Sequence, residues 1–262
     1  MNIGASTSCF YPLETEKALD EVIKLGFKKS EIFFNTSSEL EPSFVGEMKK
    51  TADDNGVKIL SIHPFSSAIE NTCIFGEYQR RFDDFIGLYQ AHCHAAAILG
   101  ADVVVIHGAL KKRKIPLDDG FYFERFKTLV EIGKSEGVTV CQENVNRFKS
   151  EDIDFMKKMR SALGSDFHMV FDIKQSIRAG HNPFDFLEEM KNEIVHVHLS
   201  DNYLPEADCL PPGRGNFDFK RVFNTLNDVG YKGDYVIEIY SKGLDVKKEL
   251  AFSKSFFENL NI

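Results

Sequence analysis

The sequence predicts an α/β fold with a single domain over residues 1–262, a (β/α)8 TIM barrel in which parallel strands alternate with helices. Three observations predict this fold. A strand-then-helix unit recurs eight times along the chain. The strand segments are almost entirely apolar, as expected when both faces of a parallel sheet are buried. No linker, low-complexity tract or long charge block divides the 262 residues, a length that suits one such barrel.

The predicted strands are short apolar runs in which β-branched and aromatic residues recur. In chain order they are Asn2–Ala5, Glu31–Phe34, Val57–His63, Val103–His107, Val138–Glu143, Met169–Asp172, Ile194–Leu199 and Tyr235–Tyr240. A doubly wound open sheet is the alternative, but the sequence has neither a G-x-G-x-x-G nor a G-x-x-x-x-G-K-[ST] motif to favour it.

A helix is predicted after each strand, because apolar residues recur there at helical spacing. The helices are Glu14–Leu25, Ser43–Asn55, Phe82–Leu99, Phe123–Glu136, Ile153–Leu163, Phe184–Met190, Asp218–Val229 and Lys247–Asn259. The seventh shows the pattern well: Val222, Phe223 and Leu226 share one face, and Gly230 follows as a stop signal.

The composition argues against several functional classes. The formal net charge of −8 argues against a nucleic-acid-binding protein, which would hold phosphates with clustered lysine and arginine. The five cysteines form no C-x-x-C pair, and no apolar run has the length of a membrane helix. We therefore expect a cytoplasmic protein with no membrane partner. A homo-oligomer is compatible with the sequence, which does not specify one.

Six consecutive strands finish on a histidine or an acidic residue. These residues are His63, His107, Glu143, Asp172, His198 and Glu238. In a β/α barrel the carboxyl ends of the strands meet at one mouth, where such folds keep their chemistry. Several buried carboxylates need a compensating cation, so the pattern predicts one divalent metal ion. Carboxylates with imidazole favour Mn²⁺, and Mg²⁺, Co²⁺, Fe²⁺ or Zn²⁺ are also compatible.

These residues and their neighbours resemble the xylose isomerase-like barrel superfamily, which contains sugar-phosphate isomerases and epimerases and the endonuclease IV-type DNA repair enzymes. The resemblance runs from the first strand to the last. It is carried by Ser61-Ile62-His63-Pro64, Ile106-His107-Gly108, Glu143-Asn144 with Arg147, Phe171-Asp172, Ala179-Gly180-His181-Asn182-Pro183, His196-Val197-His198-Leu199-Ser200-Asp201-Asn202, Pro212-Gly213-Arg214-Gly215 and Ile237-Glu238.

The resemblance implies the metal ligands and the reaction. Its epimerases hold one metal through a Glu, an Asp, a His and a second Glu, which match Glu143, Asp172, His198 and Glu238. It further implies a sugar, sugar phosphate or polyol substrate that passes through a metal-stabilised enediolate. Glu143 and Glu238 would then be the catalytic acid and base on opposite faces of the reacting carbon.

The substrate contacts are expected among polar residues near the mouth. They are His63, His107, Arg147, Gln175, Asp201 and Arg214. Arg147 and Arg214 have the bidentate geometry that suits a phosphate or carboxylate, although a surface salt bridge explains each equally well. Many epimerases carry a histidine where this chain has Gln175. Because glutamine cannot shuttle a proton at neutral pH, an inosose-type dehydratase is an alternative.

Two further alternatives come from other functional classes. An endonuclease IV-type AP endonuclease would use His63 and His107 as additional metal ligands, but Gln175 removes one ligand that its metal cluster needs. A barrel that binds a ligand without catalysis would have no use for two opposed glutamates. Metal content separates them: one ion favours the isomerase, several zinc ions the nuclease, and none the binding protein.

Overall fold

The computed structural model describes residues 3–240 and 243–260, and a closed barrel of eight parallel strands lies at its centre. The barrel strands are Gly4–Ser6 (β1), Lys29–Phe33 (β2), Lys58–His63 (β3), Val103–Ile106 (β4), Thr139–Glu143 (β5), Met169–Asp172 (β6), Ile194–Leu199 (β7) and Asp234–Ile237 (β10). Around the barrel they follow the order β1-β10-β7-β6-β5-β4-β3-β2, and β2 pairs again with β1. A small antiparallel hairpin, Asp201–Tyr203 (β8) and Ala207–Leu210 (β9), is inserted after β7.

Helices surround the barrel and connect its strands. They are Thr15–Lys24 (α1), Pro42–Asp54 (α2), Ser67–Cys73 (α3), Gln79–Leu99 (α4), Asp119–Glu136 (α5), Ile153–Leu163 (α6), Ile173–Arg178 (α7), Pro183–Met190 (α8), Phe219–Asp228 (α9) and Val246–Glu258 (α10). Their apolar stripes face the strands, as in α9, where Val222, Phe223 and Leu226 are all buried.

The structure confirms the predicted barrel and the eight strand-helix units. Predicted and observed element ends differ by at most four residues, the largest difference being at the start of α5, which begins at Asp119 rather than Phe123. The first predicted strand includes Asn2, which lies outside the described residues. The sequence did not predict α3, α7 or the β8–β9 hairpin, because segments this short show little periodicity.

The chain turns sharply where β4 leaves the barrel, directly after His107. Gly108 adopts a positive φ of 89°, and a Cβ atom there would lie 2.0 Å from the hydroxyl of Tyr122. The amide of Gly108 donates a hydrogen bond of 2.5 Å to the buried carboxylate of Glu70. Only glycine fits this corner, which therefore fixes how His107 enters the mouth.

Two bulk properties of the described residues bear on the protein's environment. Within residues 3–240 and 243–260, no helix has the length and apolarity that crossing a bilayer requires. All five cysteines are buried and free.

Candidate active site

The predicted strand-end residues lie together at the carboxyl ends of the barrel strands. Glu143 ends β5, Asp172 ends β6, His198 lies near the end of β7, and Glu238 directly follows β10. Each offers one ligand atom, and these four atoms all lie within 4.8 Å of one another in a fully buried cluster. The barrel order explains this, because β10, β7, β6 and β5 are consecutive neighbours.

His198 is the centre of the cluster. Its Nδ1 lies 3.3 Å from Oε1 of Glu143, 3.2 Å from Oε2 of Glu238 and 3.6 Å from Oδ2 of Asp172. Its Nε2 lies on the far side of the ring, 3.1 Å from Oε2 of Glu31. Burial alone would lower the pKa of His198, but the charges of Glu31 and Glu238 raise it well above its ordinary value.

Glu31 is a site residue that the sequence analysis missed. It is fully buried in β2, accepts a hydrogen bond of 2.8 Å from the hydroxyl of Ser61, and lies 3.6 Å from Nε2 of His196. A carboxylate behind a ligating histidine fixes the orientation of the ring, a role often seen around metal sites. Sequence reasoning placed Glu31 at the first position of its strand, whereas it lies in the buried interior of β2, where an acidic residue is costly unless it is paired.

Lys174 is the second missed residue, and it changes the charge balance of the site. Its side chain is only 1% exposed, and its ammonium group donates to Oδ2 of Asp172 and to Oε2 of Glu238. Burial works to lower the pKa of Lys174, but the two carboxylates outweigh it and raise the pKa well above its ordinary value. The site therefore contains a permanent cation of its own.

The two glutamates have different surroundings. Burial favours the neutral form of Glu143, but His107, His198 and His63 together hold its pKa well below the ordinary value. For Glu238 burial is outweighed by Lys174 and His198, which also lower its pKa. Both carboxylates are therefore ionised near neutral pH.

The hydroxyl of Tyr240 donates to Oε1 of Glu238 and lies 3.4 Å from the hydroxyl of Ser8. Glu238 thus has an O–H donor on one oxygen and the ammonium of Lys174 on the other. Glu143, in contrast, is surrounded by imidazole rings.

His63 and His107 form a second group with Glu143. The two Nε2 atoms are 2.9 Å apart and lie 3.7 Å and 2.8 Å, respectively, from Oε2 of Glu143. This oxygen is buried but has no hydrogen bond of acceptable geometry. An unsatisfied buried carboxylate oxygen is costly, and it marks a position where a ligand or cation can bind.

A cavity of about 340 Å³ opens onto this cluster. Its lining residues are Ser8, Tyr11, Phe33, His63, Ser67, His107, Glu143, Gln175, Glu238 and Tyr240. Three of the predicted substrate-contact residues, His63, His107 and Gln175, therefore face it. The volume is at the small end of the range for ligand pockets and suits a monosaccharide-sized molecule.

The other predicted substrate-contact residues lie elsewhere. Asp201 accepts hydrogen bonds from the backbone amides of Asn202, Gly213, Gly215 and Phe217, so its carboxylate organises the segment after β7. The carboxylate that contacts Nε2 of His198 is that of Glu31.

Neither arginine lines the cavity. Arg214 forms an ion pair with Glu249 and stacks on the ring of Phe252. Arg147 is exposed with a positive φ of 70°, and its amide donates to Glu151. For both arginines, contacts within the protein explain the observed position, and neither requires a bound substrate.

Known proteins share this architecture. The profile of a family described as xylose isomerase-like TIM barrel matches residues 19–256. An uncharacterised protein of Methanocaldococcus jannaschii is 26% identical over 273 residues, covering 100% of this chain and 91% of that protein. An inosose dehydratase of Clostridium beijerinckii is 24% identical over 255 residues, covering 85% and 81%. Among solved structures, a D-tagatose 3-epimerase-like protein matches with a TM-score of 0.81 and 22% identity, covering 98% of this chain and 96% of that one.

Proposed function

We propose that this chain, which belongs to the xylose isomerase-like TIM barrel family, is a metal-dependent isomerase or epimerase of a small sugar, sugar phosphate or polyol. One observation carries the proposal. Two buried glutamates, Glu143 and Glu238, line the same cavity and approach the same nitrogen of His198. Two carboxylates beside one reacting carbon can remove a C–H proton and return one, which inverts or moves a stereocentre.

The surroundings of the two glutamates suggest how they divide the work. Glu143 lies among imidazoles and is ionised, so it is suited to removing the proton next to a substrate carbonyl. Glu238 accepts a hydrogen bond from the hydroxyl of Tyr240, which also lines the cavity, so Tyr240 can relay a proton through Glu238 to the opposite face while Lys174 keeps its charge. In the reverse direction the two roles exchange.

The donors present fit a divalent metal ion by their chemistry. Glu143, Asp172, His198 and Glu238 would hold it, because each offers one ligand atom and these four atoms lie within 4.8 Å of one another. Three carboxylates with one imidazole favour Mn²⁺. When bound, the ion would supply Lewis-acid stabilisation of the negative charge that develops on the substrate oxygen.

The lining of the cavity supports a polyhydroxylated substrate. His63, His107 and Gln175 offer hydrogen-bonding groups, while Phe33 and Tyr11 offer ring faces against which the carbon side of a sugar can pack. Gln175 is held in place by the amide of Asn146, which donates a hydrogen bond of 3.1 Å to its Oε1. Its NH₂ group is therefore the part that is presented to a hydroxyl.

A dehydratase acting on a cyclic polyol ketone is the second candidate. The observation that favours it is the pair His63 and His107, whose rings meet 2.9 Å apart beside Glu143. Removal of the same C–H proton by Glu143, followed by loss of a neighbouring hydroxyl with a proton from a histidine, would eliminate water. The likeness to an inosose dehydratase supports this alternative at the level of 24% identity.

The nuclease alternative has weaker support. The group His63, His107 and Glu143 has the donors for a second metal ion. Two basic residues in the loop after β4 have partners within the protein, however: Lys111 pairs with Glu151, and Arg113 donates to the carbonyl of Phe75. These side chains are therefore not free to hold phosphates.

A reducing cytoplasm remains the proposed location, in keeping with the free cysteines.

Proton exchange from deuterated water tests the proposed function. With Mn²⁺ added, we expect the protein to incorporate deuterium into at least one member of a panel of ketoses, ketose phosphates and inositol ketones. Glu143→Gln should slow exchange of the epimer whose proton Glu143 removes by about 100-fold or more. The control Glu47→Gln, at an exposed position of α2, should leave it unchanged. Absence of exchange across the panel from folded protein, together with nicking of an abasic duplex, would replace this proposal with the nuclease.

A further inference from the structure

Lys174 lies where a cation would be held. It is two residues after Asp172, in the first turn of α7, and its side chain is only 1% exposed. Its ammonium bridges Asp172 on β6 and Glu238 after β10, and it lies 5.2 Å from the centre of the Tyr240 ring. A lysine is buried this deeply only when its charge is paired.

The ammonium uses the oxygens that a metal would need. Oδ1 of Asp172 already accepts from the amide of Gln175, and Oε1 of Glu238 accepts from the hydroxyl of Tyr240. The remaining oxygens, Oδ2 of Asp172 and Oε2 of Glu238, are the ones that face Nδ1 of His198. Both of these inward oxygens are bonded to Lys174. The lysine and a divalent ion therefore compete for the same two atoms.

Charge repulsion strengthens this competition. A divalent ion among the four donors would stand next to an ammonium group in a buried cluster, where like charges repel much more strongly than in water. To admit the ion, Lys174 would have to leave both carboxylates, yet its side chain is enclosed. Metal binding therefore includes the work of displacing a paired, buried cation.

We propose that Lys174 is the resident cation of this site, so that a divalent metal binds only weakly, by displacing the ammonium from Asp172 and Glu238. The ammonium holds Asp172 and Glu238 together and places a buried positive charge next to Glu238, which lines the cavity. This inference rests on the charge arrangement and stands whether the substrate is a sugar or another molecule. It separates the chain from a barrel in which the same four donors are free to take a metal.

Metal affinity tests the proposal without any substrate. We expect wild-type protein to bind Mn²⁺ at least 100-fold more weakly than Lys174→Met in a calorimetric titration. Lys174→Arg, which keeps the charge, should bind as weakly as wild type. The control Lys29→Met removes a lysine charge at the amino ends of the strands, where Lys29 pairs with Asp234, and should not change the affinity. Equal, tight Mn²⁺ binding by wild type and Lys174→Met would overturn the proposal.

A measurement on unmodified protein covers the case in which Lys174→Met does not fold. Crystals of the wild type grown with 1 mM Mn²⁺ should show no anomalous peak among the four donors and should show Lys174 between Asp172 and Glu238. An ordered Mn²⁺ peak with the lysine turned away would overturn the proposal. Because neither measurement uses turnover, failure of the proton-exchange assay leaves this result intact, and the reverse also holds.

Discussion

At the scale of single residues, the site depends on how the ring of His198 is held between carboxylates on both of its sides. Glu31 lies on its Nε2 side, and Glu143, Asp172 and Glu238 lie on its Nδ1 side. The ring is thereby fixed in one orientation with little freedom to turn. Glu31 takes no part in the proposed chemistry and acts through His198 as a positioning residue.

Replacing Glu31 should destabilise the folded protein. Glu31→Ala leaves His198 with a buried charge that lacks its Nε2 partner, and leaves the hydroxyl of Ser61 without its acceptor. We expect a loss of about 3–5 kcal/mol in the free energy of unfolding, measured by urea denaturation. Glu47→Ala, on the exposed face of α2, should change it by no more than about 0.5 kcal/mol. A small effect at Glu31 would contradict the pairing described here.

His92 provides a separate test of how burial shifts a histidine pKa, because it lies outside the active site. Its ring is fully buried, Nδ1 lies 2.8 Å from the carbonyl of Leu88, and Nε2 has no partner. Burial lowers the pKa of His92 to about 4 from an ordinary value of 6.5. The neutral ring is thus favoured in the folded protein, and its stabilising effect is complete above pH 6.5 and lost as the pH falls toward 4.

We therefore expect wild-type protein to lose about 2 kcal/mol of unfolding free energy between pH 7 and pH 5 through this residue. His92→Gln should show a correspondingly flatter dependence over the same interval, measured by urea denaturation at each pH. If the unfolding free energies of the two proteins depend on pH in the same way, the ring of His92 is not held neutral by burial.

At the residue scale, the positions that meet at the mouth could be predicted where a polar side chain ended an apolar strand. His63, His107, Glu143, Asp172, His198 and Glu238 stood out for this reason, and the structure brings them to one mouth. Glu31 was treated as the first residue of its strand, although β2 begins at Lys29 and places Glu31 in the interior. Lys174 follows Asp172 closely, but nothing in the local pattern shows that its side chain turns back to Glu238, 64 residues away.

At the scale of elements, the distance between helices and strands is set by small residues at particular contacts. Gly133 lies on the buried face of α5, where an added Cβ would come within 2.7 Å of a Val140 methyl group and 2.8 Å of the Val138 carbonyl. Val140 belongs to β5, the strand that ends at Glu143. Gly46, within α2, has no atom within 4 Å of the same added carbon.

These two glycines make a matched pair of variants. Gly46→Ala should stabilise the protein by about 0.5–1 kcal/mol, because alanine is the better helix former. Gly133→Ala should instead destabilise it by about 1–3 kcal/mol, because α5 must shift away from β5. Thermal and urea unfolding would measure both. Stabilisation by both variants would show that the packing of α5 on β5 is looser than described.

The predicted elements were most accurate where long apolar patterns recur and least accurate where function inserts short segments. Strand β6 and helix α6 match their predicted bounds. The short helix α7 was missed because six residues contain too little periodicity to reveal it. Since α7 carries Lys174, this element-scale gap and the missed cation have the same cause.

At the scale of the whole molecule, barrel closure makes the site possible. The strands that carry the four clustered donors are distant in sequence, yet β5, β6, β7 and β10 lie side by side in the barrel. The fold class could be predicted because each strand-helix unit can be recognised from its own sequence pattern, and eight such units suit one closed barrel. The charge balance of the mouth could not, because it depends on side chains that reach across the closed barrel, as Lys174 and Glu31 do.

The most direct test of the opposed glutamates follows deuterium exchange of each epimer separately, using the pair that responds in the substrate panel. Glu143→Gln and Glu238→Gln should both abolish interconversion, since each step needs both groups. Each variant should still exchange the proton of one epimer, and the two variants should retain different epimers. If one variant abolishes exchange of both epimers while the other leaves both intact, a single base acts and the two-glutamate account is contradicted.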